Sequence, residues 1–350
     1  MKFVELVIYL SRGFRLSAAI NIHRQNECFF CPCIDLMDSF NSSGYYRRRH
    51  FVSDIRDTLF LRIRDYGEFL LYSSLFLGSA AAGMAYTSCF IQGISWSGSI
   101  GTVMFLIVFS VYNLNRKTDE AEDALNHERR FRITKKFEHH LFIAALGAYI
   151  IALTIAAFHG IAAVCVVMIP LVSGIFYSVP VLPKWCGYRR LKEIPVMKNF
   201  VVSISWALAF SLVPVYLGAS EPNAASVVVF LFIFCWTFIA SVLPDIRDRS
   251  GDSATGVATI PVLLGVPRSR RILTIINISA GIIILLLGST VIPIPAIAII
   301  LTSLVYSQVC IISIDRTTKN DLLCDVISDG QFLIIGGLCL LIASLSYLHC

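Results

Sequence analysis

Residues 226–243 read SVVVFLFIFCWTFIASVL, eighteen positions without a charge, followed at once by Pro244 and Asp245. A helix of this length covers roughly 27 Å at 1.5 Å per residue, close to the hydrocarbon thickness of a bilayer. The run is rich in β-branched and aromatic residues, which favour strands in water. Lipid offers no partner to a backbone amide, however, so a spanning segment of this kind is expected to be helical. Eight further stretches read the same way: 67–86, 97–114, 141–158, 161–179, 200–217, 272–291, 294–314 and 332–348. Together they predict an all-α fold, an integral membrane bundle of nine transmembrane helices.

Composition agrees. The 350 residues are 56% hydrophobic and only 15% charged, with a mean hydropathy of +0.74, whereas soluble domains carry about a quarter charged side chains. All 29 Lys and Arg lie before the first stretch or in the connections after the second, fourth, sixth and eighth. That alternation predicts a cytoplasmic N-terminus for a multi-pass protein of the cell membrane. The net charge of +6 therefore reads as orientation, and without a basic aromatic cluster no nucleic-acid partner is expected. Nearly all the acids fall on the same side, Glu221 excepted, so any active site should face the cytoplasm. The eleven cysteines are scattered, several inside apolar runs, which argues against a disulfide framework.

Two regions are expected: a tail over residues 1–55, interfacial or disordered, and a membrane domain over 56–350. The tail opens with an apolar run too short to span and carries no secretory cleavage pattern. Its Cys28, Cys31 and Cys33 have a metal-like spacing but no further ligands to complete a zinc site, and read as reduced thiols.

Chemistry is concentrated where two stretches leave the membrane. After the second, Asn115, Asp119 and Asp123 recur every four residues and share one helix face, roughly 6 Å apart along the axis. After 226–243, Asp245, Asp248 and Asp252 stand at i, i+3 and i+7 and form a second stripe. Stacked carboxylates near a helix C-terminus repel one another and the helix dipole, so such stripes call for a cation. Oxygen-only donors suit Mg²⁺, which binds through a few carboxylates together with substrate phosphates. The blander reading of each run is a solvated acidic loop paired with its neighbouring Arg and Lys.

The second stripe continues to Gly265 as D-x-x-D-x-x-x-D-x-x-x-G-x-x-T-x-P-x-x-x-G, and N-x-x-x-D-x-x-x-D precedes it in the chain. This pairing resembles the UbiA superfamily of intramembrane aromatic and lipid prenyltransferases. A third segment, with Tyr177 ahead of Leu191, Lys192, Pro195 and Asn199, is similar to the L-K-x-x-P-x-x-G-N stretch of archaeal-type members, Lys198 standing where Gly is usual. Tyr188 and Lys192 share a Y-x-x-x-K spacing, which leaves open which tyrosine belongs with the lysine.

The resemblance implies a Mg²⁺-dependent membrane prenyltransferase, with an isoprenyl diphosphate donor, a lipophilic acceptor and membrane lipid as partners. It implies metal ligation by Asn115, Asp119, Asp123, Asp248 and Asp252, with Asp119, Asp248 and Lys192 in catalytic roles. Asp245, Tyr177, Tyr188, Arg190 and Asn199 are the implied substrate-binding residues. Trp206, Phe210, Phe232 and Trp236 are candidates to line a channel for the prenyl tail. Many members have Asp after the first Asn, where this chain has Arg116, and the usual N-R-P-x-R-P run appears only as Asn126, His127, Glu128, Arg129 and Arg130. The alternatives are a non-catalytic lipid-binding member and a membrane transporter, the latter disfavoured because the spans are nearly free of charge.

Overall fold

The structure is a computed structural model that describes residues 64–118, 120, 128–180, 183, 187–317 and 321–348. The expectations for the tail, for Asp119 and Asp123, and for Asn126 and His127 lie outside these residues. The chain divides into residues 1–66 and 67–350, and the second unit is the subject here.

Every element among the described residues is helical. In chain order they are α1 (Leu75–Gln92), α2 (Gly98–Thr118), α3 (Glu128–Lys136), α4 (Glu138–Phe158), α5 (Ile161–Ser178), α6 (Met197–Leu217), α7 (Ala224–Thr255), α8 (Ile260–Leu264), α9 (Val266–Gly288), α10 (Ile294–Thr317) and α11 (Asp321–Leu348). A single 3₁₀ turn, Leu191–Glu193, stands between α5 and α6.

Each of the nine apolar stretches falls in helix, but seven helices are long and apolar enough to cross a membrane: α2, α4, α5, α6, α7, α9 and α10. The first stretch is broken at Ser73 and Ser74, where the helix reaching Tyr72 meets α1 at 63° and Ser74 takes φ 65°. Counting that bent pair as one span gives eight. In α11 the apolar part found among the described residues is Asp329–Ser344.

Burial sorts the helices into centre and rim. The best apolar window of α7 is 67% buried, against 28% for α4 and for α9. On the rim helices, side chains such as Ile150, Phe158, Ile275 and Leu286 are more than half exposed, the outward apolar face expected of helices solvated by lipid. The core runs through Met84, Ile100, Met104, Ile107, Phe232 and Ile233, and α6 packs on α7, α2 on α4, and α1 on both α2 and α11. The α1 to α11 approach is backbone on backbone: a Cβ at Gly336 would stand 2.8 Å from Gly83 Cα. Small residues permit this closeness, and close van der Waals packing is what holds helices together in lipid.

A polar network ties α1, α6 and α7 at the end away from the Asp stripe. Pro214 lies inside α6 and has no N–H for the Phe210 carbonyl four residues earlier. The Ser88 hydroxyl on α1 donates to that carbonyl at 2.6 Å. Gln92 donates to Ser88 Oγ at 2.9 Å and to the Ser211 carbonyl at 3.2 Å, while Ser226 Oγ donates to Gln92 Oε1 at 2.7 Å. Asn223 caps α7 by accepting from the Ala225 and Ser226 amides.

Candidate active site

The acidic stripe exists because α7 does not stop with its apolar run. The helix continues through Pro244 to Thr255 and ends at Gly256, which takes φ 77° and donates its N–H to the Asp252 and Ser253 carbonyls. That left-handed cap suits glycine. Asp245, Asp248 and Asp252 are thus held on rigid helix, and all three line a cavity of about 390 Å³.

Asn115 and Arg116 from α2, Tyr177 from α5, Lys192 from the 3₁₀ turn, Lys198 from the first turn of α6 and Asp329 from α11 line the same cavity. Its apolar wall includes Val111, Tyr112, Trp206 and Phe332, and the rings of Tyr112 and Trp206 stack at 6.0 Å and 14°. Gly174 on α5 faces Asn115, whose Oδ1 lies 3.5 Å from where a Cβ would be.

The carboxylates are anchored differently. Asp245, 3% exposed, accepts from Lys198 Nζ at 2.8 Å on Oδ1 and from Asn199 Nδ2 at 3.1 Å on Oδ2. Asn199 Nδ2 also donates to Ser241 Oγ at 3.1 Å. Asp248 is held by Arg247 through Nε at 2.8 Å and Nη2 at 3.2 Å, a two-pronged charge-assisted pair. Asp252 is buried at the cavity wall with the Thr259 hydroxyl beside it.

The connection that carries Lys192 is stapled by its own side chains. Glu193 accepts from the Arg189 amide at 2.8 Å, the Arg190 amide at 3.3 Å and the Arg190 Nε at 2.7 Å. Burial works against ionisation of Glu193, but the Arg190 guanidinium and these amides win and hold its carboxyl below the ordinary glutamate range. Val196 then turns the chain into α6 at φ 65°, a conformation that β-branched residues rarely adopt. The result is a buried Lys192, its Nζ 6.0 Å from the centre of the Tyr177 ring.

The implied site residues are therefore sorted by position. Asn115, Asp248, Asp252, Asp245, Lys192 and Tyr177 meet at one cavity. Asn199 is set back and holds Asp245. Tyr188 is 39% exposed and Arg190 is turned to Glu193; neither lines the cavity. Of the four aromatic channel candidates only Trp206 reaches the wall. Phe210, Phe232 and Trp236 are buried in the helical core, where Trp236 Nε1 donates to Gln331 Oε1 at 2.7 Å.

Sequence reasoning missed Arg247 and Asp329. Arg247 was counted among orientation charges. Asp329 could have been found as an ionisable residue at the threshold of an apolar stretch, where polar groups are costly. Among the described residues no three His, Cys, Asp or Glu side chains converge closely enough to hold a metal by themselves. The donor chemistry still fits Mg²⁺: Asn115, Asp248 and Asp252 offer oxygens into one cavity with room for phosphate oxygens to complete the coordination.

The family model described as the UbiA prenyltransferase family matches residues 74–344. Digeranylgeranylglyceryl phosphate synthase of Methanopyrus kandleri is 29% identical over 96 residues, which is 27% of this chain and 34% of that protein. The matched segment thus spans about a third of that curated relative's length. A UbiA homolog from Archaeoglobus fulgidus, in a structure bound to GPP and Mg²⁺, superposes with a TM-score of 0.56 at 15% identity, covering 78% of this chain and 99% of that one. The apo structure of a UbiA homolog from Aeropyrum pernix gives 0.53 at 12% identity, covering 73% and 97%. At these identities the superpositions speak for the fold.

Proposed function

The chain belongs to the UbiA prenyltransferase family, and on that premise we propose that it transfers an isoprenyl group from an isoprenyl diphosphate to a lipophilic acceptor within the membrane. The observation that carries this reading is the mixed lining of one cavity. Asn115, Asp248, Asp252 and Lys192 line it together with Tyr112, Trp206 and Phe332. A diphosphate with an apolar tail has the same two characters.

In this reading the diphosphate lies between α2 and the extended end of α7. Asn115, Asp248 and Asp252 would hold Mg²⁺ there, and the resemblance adds Asp119 and Asp123, which lie outside the described residues. Bound magnesium supplies charge neutralisation to the departing diphosphate. Lys192, buried and fixed by the stapled turn, donates to the diphosphate oxygens as the C–O bond breaks and its electron pair leaves with phosphate. Tyr177 sits against Lys192 and restricts where its ammonium can go. Asp245, already engaged by Lys198 and Asn199, positions this wall. The apolar walls exclude water from the allylic carbon, so that the acceptor, losing a proton as its new bond forms, is the nucleophile.

The protein is read as a multi-pass protein of the cell membrane with nine spans and a cytoplasmic N-terminus. The distribution of Lys and Arg supports this orientation, which puts the acidic stripe at the cytoplasmic face.

The test is to incubate membranes containing the protein with labelled isoprenyl diphosphates of several lengths, Mg²⁺ and a native lipid extract, and to identify labelled products by mass. A labelled lipid absent from membranes carrying Asp248→Asn is the expected result. Donor binding without any release of diphosphate would instead make this a lipid-binding member of the family.

A further inference from the structure

Arg116 follows Asn115 on α2 and lines the same cavity as Asp248 and Asp252. Its position is prepared from behind. Arg116 Nη1 donates to Asn113 Oδ1 at 3.1 Å, and the Asn113 amide is itself pinned, donating to the Ser73 carbonyl at 2.9 Å and the Phe109 carbonyl at 2.8 Å. Asn113 is 5% exposed, so this support is buried and rigid.

Arg116 is not the only cation at the cavity. Among the described residues five cationic side chains line it, against four carboxylates. A diphosphate arriving here meets protein cations whether or not a metal accompanies it, and a guanidinium is the side chain best shaped to bind phosphate oxygens in pairs.

We propose that Arg116 is a diphosphate-binding residue that takes over part of the neutralisation otherwise supplied by divalent metal, so that this chain holds a diphosphate headgroup even without magnesium. The inference rests on the prenyl diphosphate reading of the site and adds a residue and a metal dependence to it.

The test measures binding of labelled inorganic pyrophosphate to the purified full chain in detergent, in EDTA and in Mg²⁺. Wild type is expected to bind in EDTA within about tenfold of its affinity in Mg²⁺. Arg116→Asp should lose the EDTA binding by about tenfold or more and keep Mg²⁺-supported binding, and Arg116→Lys should retain most of both. A non-reacting prenyl thiolodiphosphate should displace the pyrophosphate. A merely structural role for Arg116 would lower binding equally in both media. That result, absence of wild-type binding in EDTA, or failure of the thiolodiphosphate to compete would each overturn the proposal. Binding in neither medium overturns it together with the prenyl diphosphate reading.

Discussion

Lys198 Nζ lies 2.8 Å from Asp245 Oδ1, joining the first turn of α6 to α7 at the point where the apolar run of α7 gives way to its acidic stripe. The carboxylate is buried, so the pair is largely withdrawn from water. Lys198→Met should destabilise the fold by about 3 kcal/mol, because it strands a buried charge. The double variant with Asp245→Asn should recover most of the loss. Thermal unfolding in detergent reads both; an unchanged midpoint for Lys198→Met would show the pair to be inert.

Asp248 and Asp252 should behave differently from Asp245. Asp248→Asn and Asp252→Asn are expected to lower Mg²⁺-dependent diphosphate release about 100-fold or more, since they act on charge that develops during reaction, Asp252→Asn with folding retained and Asp248→Asn with some loss of stability because Arg247 loses its partner. Asp245→Asn should lower thermal stability as well, because Lys198 loses its counter-ion. Comparable release from all three variants and wild type would remove these carboxylates from the chemistry.

Gly336 offers a test of the packing. A methyl group there meets Gly83 backbone at 2.8 Å, and backbone cannot rotate away. Gly336→Ala should cost about 1–3 kcal/mol by overpacking, whereas Gly337→Ala, with nothing within 4 Å of its Cβ position, should be close to neutral. Equal unfolding temperatures for the two variants would mean that α1 and α11 do not touch as described.

Acid should loosen the turn that carries Lys192. Glu193 has a carboxyl held below its ordinary value, so its contribution is complete above the unfolded glutamate pKa. It is lost as pH falls through the lower folded value. Protease sensitivity of the 187–196 connection should therefore rise only under acid conditions below the usual glutamate range, and Glu193→Gln should show raised sensitivity already at neutral pH. A connection equally resistant at all pH values in both proteins would rule out the staple.

The sequence made the helices legible because lipid leaves the backbone only one way to satisfy itself, and apolar length is then a direct measure of a spanning segment. It was less informative where a span is broken by geometry. Ser73 and Ser74 are unremarkable residues in an apolar context, and at the 63° bend the Ser73 carbonyl accepts from Asn113 of α2, a partner no local pattern reveals. The Asp245, Asp248 and Asp252 stripe was readable because helical periodicity alone puts i, i+3 and i+7 on one face. The partners of that stripe were not, since Lys198 and Arg247 look in sequence like any other charge on the basic side of a membrane. Likewise, no periodicity distinguishes Trp206, which reaches the cavity, from Phe232, which packs in the core.

The length of α7 has a consequence for the kind of molecule this protein selects. From Ala224 to Asp245 the helix rises roughly 32 Å, about the thickness of a bilayer's hydrocarbon layer, and its remaining turns carry the carboxylates beyond that depth. A ruler of this length sorts candidates by how they partition between oil and water before any side chain recognises them. A fully water-soluble diphosphate reaches only the polar mouth, and a plain hydrocarbon stays among the apolar helices. On the reading proposed above, only a molecule with both characters, joined at one bond, is brought to rest with that bond at the boundary.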